Sequence, residues 1–194
     1  MEQQFKFSLT EAEKDYLLLL VRRSILAGLK ERGEKAESSG LPKLAPHPPS
    51  ERLKEKFGAF VTLKINGGLR GCIGRVVGDL PLVETVSRMA RSAAFEDPRF
   101  PPLSAGEFPR LEIEISILSP LTPCPDSDKI EVGRHGLLIS KGGASGLLLP
   151  QVPVEWGWDR ETFLAQCCRK AGLPSSAWKD QDARIFWFEA EVFD

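Results

Sequence analysis

The residues best equipped for chemistry in this chain are two arginines, a cysteine and a histidine, each in a segment marked by glycine or proline. Arg70 and Cys72 lie in Leu69-Arg-Gly-Cys-Ile-Gly74. In an extended strand they point to one face, with Leu69, Gly71 and Ile73 on the other. A guanidinium beside a thiol favours the thiolate, the nucleophilic form. Gly71 and Gly74 allow close backbone approach, to a ligand or to another segment. The competing reading makes Cys72 a small buried hydrophobe, and core packing with slow reaction toward thiol reagents is the expectation.

Arg99 sits in Asp97-Pro-Arg-Phe-Pro-Pro102, where prolines stiffen the backbone and reduce the entropy lost on binding. A pre-positioned guanidinium suits two-pronged recognition of a carboxylate or phosphate. Asp97 instead offers it a partner within the chain, as a structural clamp. His135, between Gly133-Arg134 and Gly136, has the imidazole of a general acid or base near neutral pH, or of a hydrogen-bonded turn. If Arg70 and Arg99 face one small anion, His135 and Gln151 are the neutral hydrogen-bonding candidates beside it. His47, among Pro46, Pro48 and Pro49, reads as structural. With two histidines and no CxxC or HxxxH, neither a resident metal nor another cofactor is expected. The sequence has no GxGxxG and no GxxxxGK[ST], so the usual nucleotide cradles are missing.

These residues need elements to hold them. Thr10 and Glu13 fit a capping box, and Leu17, Leu18, Val21, Ile25 and Leu29 recur at helical spacing, predicting a helix that stops at Gly33. Residues 35–56 are polar and proline-rich and read as a connecting loop with one helical turn. Phe60–Ile65, Asn66-Gly67-Gly68 and Leu69–Ile73 predict a hairpin on a tight primed turn. A helix follows over 79–94, capped by Asp79 and buried through Leu82, Val86 and Met89. Ser104 and Glu107 form a second capping box. Leu111–Ile117 alternates as a half-buried strand. Short strands are expected at Ile130–Val132, Leu137–Ser140 and Gly146–Leu149, with a hairpin turn at Gly142-Gly143. Asp159 caps a helix ending at Gly172, and Arg184–Val192 makes a last, central strand. Hairpins mixed with helices, without a βαβ rhythm, argue an α+β fold with a mostly antiparallel sheet and flanking helices, as one domain over 1–194.

At 42% hydrophobic residues the 194-residue chain can build a core without disulfide or metal. A net charge of −1 argues against nucleic acid as partner, and no apolar run is long enough to cross a bilayer. The four irregularly spaced cysteines and the polar N-terminus point to reduced thiols and a cytoplasmic location.

Phe60-Val-Thr-Leu63, Leu69–Gly74, Ala94–Pro102, Glu114–Ser119, Gly133–Leu137, Gly146–Val152 and Cys168–Leu173 together resemble the hallmark segments of the AMMECR domain family, protein A of the AmmeMemoRadiSam system. Where that pattern has a basic residue before Gly146, this chain has Ser145, which weakens charge binding there. The resemblance implies a larger and a smaller lobe with a cleft, and company: a Memo-like protein and a radical S-adenosylmethionine protein. It supplies no reaction, and whether the protein is an enzyme stays open. Two functions follow. One is a small-molecule enzyme or substrate-presenting subunit, with Arg70, Gly71, Cys72, Asp97, Arg99, His135 and Gln151 around an anion-binding cleft. The other is a non-catalytic interaction module, in which those residues hold the fold and an exposed Trp156 or Trp158 meets a partner.

Overall fold

The structure is a computed structural model that describes residues 8–35 and 40–194; part of the connecting loop read over 35–56 lies outside them. The fold is α+β, with two compact units: one of the described residues up to Leu118 with Glu191–Asp194, the other Ser119–Ala190.

The larger unit opens with α1 (Glu11–Glu31). Thr10 caps it and Glu13 returns the bond, completing the capping box that the sequence predicts. Its C-terminus closes at Gly33, φ +78°, where Gly33 N–H reaches Lys30 O and Glu34 N–H reaches Leu29 O. Leu17, Val21, Ile25 and Leu29 are fully buried. Strands β1 (Gly58–Ile65) and β2 (Gly68–Arg75) form the hairpin, with Asn66 at φ +53° and Gly67 at φ +73° in the turn. Helix α2 (Leu82–Phe95) buries Leu82, Val86 and Met89. Pro81, not Asp79, precedes it as N-cap, since the Asp79 carboxylate is taken by Arg75 at 2.5 Å. Strand β3 (Glu112–Leu118) pairs antiparallel with the free side of β1. Val61, Leu63, Ile113, Ile115 and Ile117 make the buried face of this sheet, while Thr62, Lys64 and Glu114 occupy the opposite face at half exposure.

A β-bulge changes the hairpin. Lys64 faces Leu69, but Leu63 faces Gly71, so Arg70 is an extra residue on β2. Leu69 therefore leaves the face of Gly71 and Ile73 that simple alternation assigned it, and stands 46% exposed beside Lys64.

In the smaller unit, β4 (Thr122–Pro123), β5 (His135–Lys141), β6 (Ala144–Leu148) and β7 (Arg184–Phe193) pair antiparallel, β5 lying between β6 and β7. Gly142 and Gly143, both at positive φ, turn the β5–β6 hairpin. The expected strand at Ile130–Val132 is not formed; a 3-10 turn at Ser127–Lys129 leads into an irregular approach to β5. Helix α3 (Gln151–Glu155) is short, and α4 (Arg160–Lys170) is capped by the Asp159 carboxylate, which accepts Thr162 N–H at 2.8 Å. Gly146 lets α4 approach the sheet: a Cβ there would lie 2.5 Å from Ala171 N. The core under it is Leu137, Ile139, Phe163, Leu164, Cys167 and Cys168. Among the described residues no helix is long and apolar enough to cross a membrane.

Candidate functional site

Four of the residues singled out from sequence come together at the outer edge of the larger unit's sheet. Past the end of α2 the chain turns through residues 97–102, and Leu103 N–H returns to Ala94 O at 2.8 Å, closing the loop. Asp97 is buried under this loop. Its Oδ2 accepts from Cys72 N–H at 2.8 Å and from Arg99 Nη2 at 2.7 Å; its Oδ1 accepts from Arg99 N–H at 3.1 Å and Nε at 2.9 Å. Arg99 Nη2 also donates to Cys72 O at 3.1 Å. The Asp97–Arg99 pair thus meets both main-chain groups of Cys72 on an outer strand, where they would otherwise stand open. Arg99's guanidinium, first, and two main-chain N–H donors hold the Asp97 carboxyl far below the usual carboxylate range against the cost of burial.

Arg70 makes the same arrangement one step along. Its Nε and Nη2 clasp Glu107 at 2.7 and 3.1 Å, and Nη2 donates to Pro101 O at 2.9 Å. Glu107 also accepts Ser104 N–H at 3.0 Å and Oγ–H at 2.9 Å. Arg70 above all, opposed by burial and aided by Ser104, holds the Glu107 carboxyl down at about 2. Both guanidinium groups lie over one ring, Phe100, with Cζ 5.9 Å (Arg70) and 5.6 Å (Arg99) from its centroid. Each arginine therefore has its own carboxylate, so the two do not face each other as bare cations.

The Cys72 side chain lies on the half-exposed sheet face and not in the core, contrary to the packing expectation. Thr62 Oγ1 donates to its Sγ at 3.3 Å, and the sulfur lies beside the Arg99 guanidinium. Arg99 is 54% exposed, and none of the bonds described uses its Nη1 hydrogens. The site thus offers a thiol, a hydroxyl and a fixed guanidinium edge. Thr62, Phe100 and the carboxylate partner Glu107 were not singled out from sequence as site residues. Among the described residues no group of three or more His, Cys, Asp or Glu side chains could hold a metal ion.

The other candidates stand elsewhere. Gly71 points away from this face, toward α2: a Cβ on it would lie 2.1 Å from Ala93 O. Its smallness is used by helix packing. His135, in the smaller unit, is buried; its Nδ1 accepts Glu131 N–H at 3.0 Å, and its ring lies 4.5 Å from that of Trp187. This is the turn-holding role open to it from sequence. Gln151 begins α3, and its Oε1 is buried with no hydrogen-bond partner among the described residues.

The four cysteines divide accordingly. Burial pushes the Cys167 thiol up to about 12 and raises that of Cys168, and both side chains are fully buried. Brief alkylation of the native protein, followed by peptide mapping, is expected to label Cys72 well ahead of Cys167 and Cys168, which should react only on unfolding. Equal labelling of Cys72 and Cys167 would return Cys72 to the core.

The fold and this edge site define a class: an α+β protein with a hairpin–helix–proline-loop unit gathered around an arginine–carboxylate pair. The AMMECR1 family model matches residues 19–193, and the chain belongs to that family. It is similar to Protein MK0488 of Methanopyrus kandleri, 46% identical over 96% of this chain and 90% of that protein. It is also similar to Protein PH0010 of Pyrococcus horikoshii, 44% identical over 97% and 92%. The crystal structure of that Pyrococcus protein superposes with a TM-score of 0.81, at 42% identity over 96% of this chain and 93% of the other.

Proposed function

We propose that this protein holds a small polar or anionic compound on the open sheet face beside Cys72 and acts as a substrate-presenting subunit or small-molecule enzyme. As the family resemblance implies, it would work with Memo-like and radical S-adenosylmethionine proteins in the cytoplasm. One observation carries the reading: Arg99 is fixed by a buried Asp97, yet its side chain is 54% exposed beside the half-exposed thiol, and the clamp uses only Nε and Nη2. A guanidinium fixed in advance loses little rotamer freedom on binding, and its directional N–H groups recognise an acceptor even though Asp97 balances its charge.

Cys72→Ala is the informative variant, because it removes the thiol and leaves the main-chain N–H that Asp97 needs. Extracts of native protein, alone and with the two partner proteins, are compared by mass spectrometry with extracts of the variant. The expected result is a small acidic or polar compound retained by the native protein and reduced about tenfold in the variant, a loss of ~1.4 kcal/mol in binding, at an unchanged melting temperature. No retained compound in any of these preparations would overturn the proposal.

A further inference from the structure

We infer that the smaller unit carries a docking surface for a basic segment of another protein that inserts an apolar side chain beside Trp156. This goes beyond the small-compound reading, and stands whether or not the larger unit binds one.

Large apolar side chains that remain exposed gather at this place. Trp156 is 70% exposed, Val154 59% and Val132 38%. Val154 packs toward the backbone beside Val132, since a Cβ on Gly133 would lie 3.1 Å from Val154 Cγ2, and Trp156, two residues on, stacks on Trp158 with ring centroids 6.1 Å apart. Trp158 is itself partly buried against the unit's core. The core thus supports one indole, and that indole supports the exposed one.

The backbone under Trp156 is closed as well. Trp156 caps α3, Gly157 follows at φ +63°, Gly157 N–H reaches Val154 O at 3.2 Å and Trp158 N–H reaches Pro153 O at 2.8 Å. These two bonds fix the helix end. Trp156 is therefore exposed on an ordered backbone, the arrangement that makes an aromatic side chain a binding anchor at small entropic cost.

The rim sets the sign of the partner. Glu155 and Glu161 flank the tryptophans and are exposed, while Asp159 between them is engaged as the cap of α4. Two of the nearby cations are already matched: Arg134 by Glu131 at 2.8 Å and Glu189 at 2.7 Å, Arg160 by Asp128 at 2.7 Å. An apolar centre flanked by the exposed carboxylates of Glu155 and Glu161 complements a segment that carries Lys or Arg around a large apolar residue.

The test uses the full chain and two short amphipathic helical peptides with one leucine pattern, one bearing lysine on its polar face and the other glutamate. Labelled-peptide anisotropy and tryptophan emission are followed at low and high salt. The lysine peptide is expected to bind saturably and shift emission to the blue, more weakly at high salt. Trp156→Ala should weaken it about tenfold without changing the circular dichroism spectrum, and Glu155→Lys with Glu161→Lys should transfer preference to the glutamate peptide. Equal binding of both peptides, no binding of either, or no effect of Trp156→Ala would overturn the inference. Sedimentation showing self-association abolished by Trp156→Ala would also overturn it, by making a second copy the occupant.

Discussion

Replacing Gly71 with alanine is expected to lower the melting temperature by on the order of 6–12 °C, from an overpacking cost of about 3 kcal/mol. The added methyl would sit 2.1 Å from Ala93 O and 3.1 Å from Ala93 C, both main-chain atoms of α2. A side chain can swing aside; a helix backbone must translate, taking with it the buried Val86, Met89 and Ala90. Gly106→Ala is the control, because a Cβ there meets nothing within 4 Å. If Gly71→Ala melted like Gly106→Ala and lost a bound compound instead, Gly71 would belong to the ligand and not to α2.

That contrast shows what was legible in the sequence. Helix α1 could be read end to end because its signals are local: a capping box at Thr10, an apolar stripe and a glycine at the turn out. The β1–β2 hairpin was equally plain, since Asn66-Gly67 supplies the positive φ values of a two-residue turn. What the pattern did not reveal was the extra residue at Arg70. Carried on without a bulge, the turn's register would set Cys72 across from the fully buried Val61, in the core. With the bulge Cys72 faces Thr62 on the half-exposed side, and Gly71 faces Leu63 under α2. One unpaired residue exchanges the roles of the two residues that follow it, and alternation alone cannot register it.

Other misses have the same character. Asp79 had the chemistry of a helix cap but was claimed by Arg75 from the neighbouring strand. The carboxylate that clasps Arg70 was visible only as half of a capping box, because Glu107 is 37 residues away and pairing at that separation is decided by the folded chain. Arg99 is different. Its two readings, clamp and ligand contact, both follow from the sequence, and the geometry gives the Nε–Nη2 edge to the clamp and leaves Nη1 out of it.

The clamp leads to the second large effect. Asp97→Asn should cost about 2–3 kcal/mol, the upper part of the range for hydrogen bonds to a charged group, because each oxygen accepts two of the four bonds and two must then face an amide N–H. Arg99→Lys keeps a cation but loses the fork and the bond to Cys72 O. It should cost less, since Arg99 is 54% exposed and water replaces part of what is removed. Acid gives a sharper reading. The Asp97 carboxyl is depressed in the folded protein, chiefly by Arg99, from an ordinary value near 3.8. A depressed carboxyl adds stability that is fully present above its unfolded value and is lost as pH falls through that value toward the folded one. Glu107, brought from 4.5 to about 2 by Arg70, behaves in the same sense. Thermal melts taken from neutral pH down to about pH 2.5 should therefore show wild-type stability falling steeply below about pH 4. Asp97→Asn should start lower and fall less, retaining the contribution of Glu107, so that the two curves converge in acid. Parallel curves over that range would mean that Asp97 is not held ionised by Arg99, and the clamp at the edge of β2 would have to be abandoned.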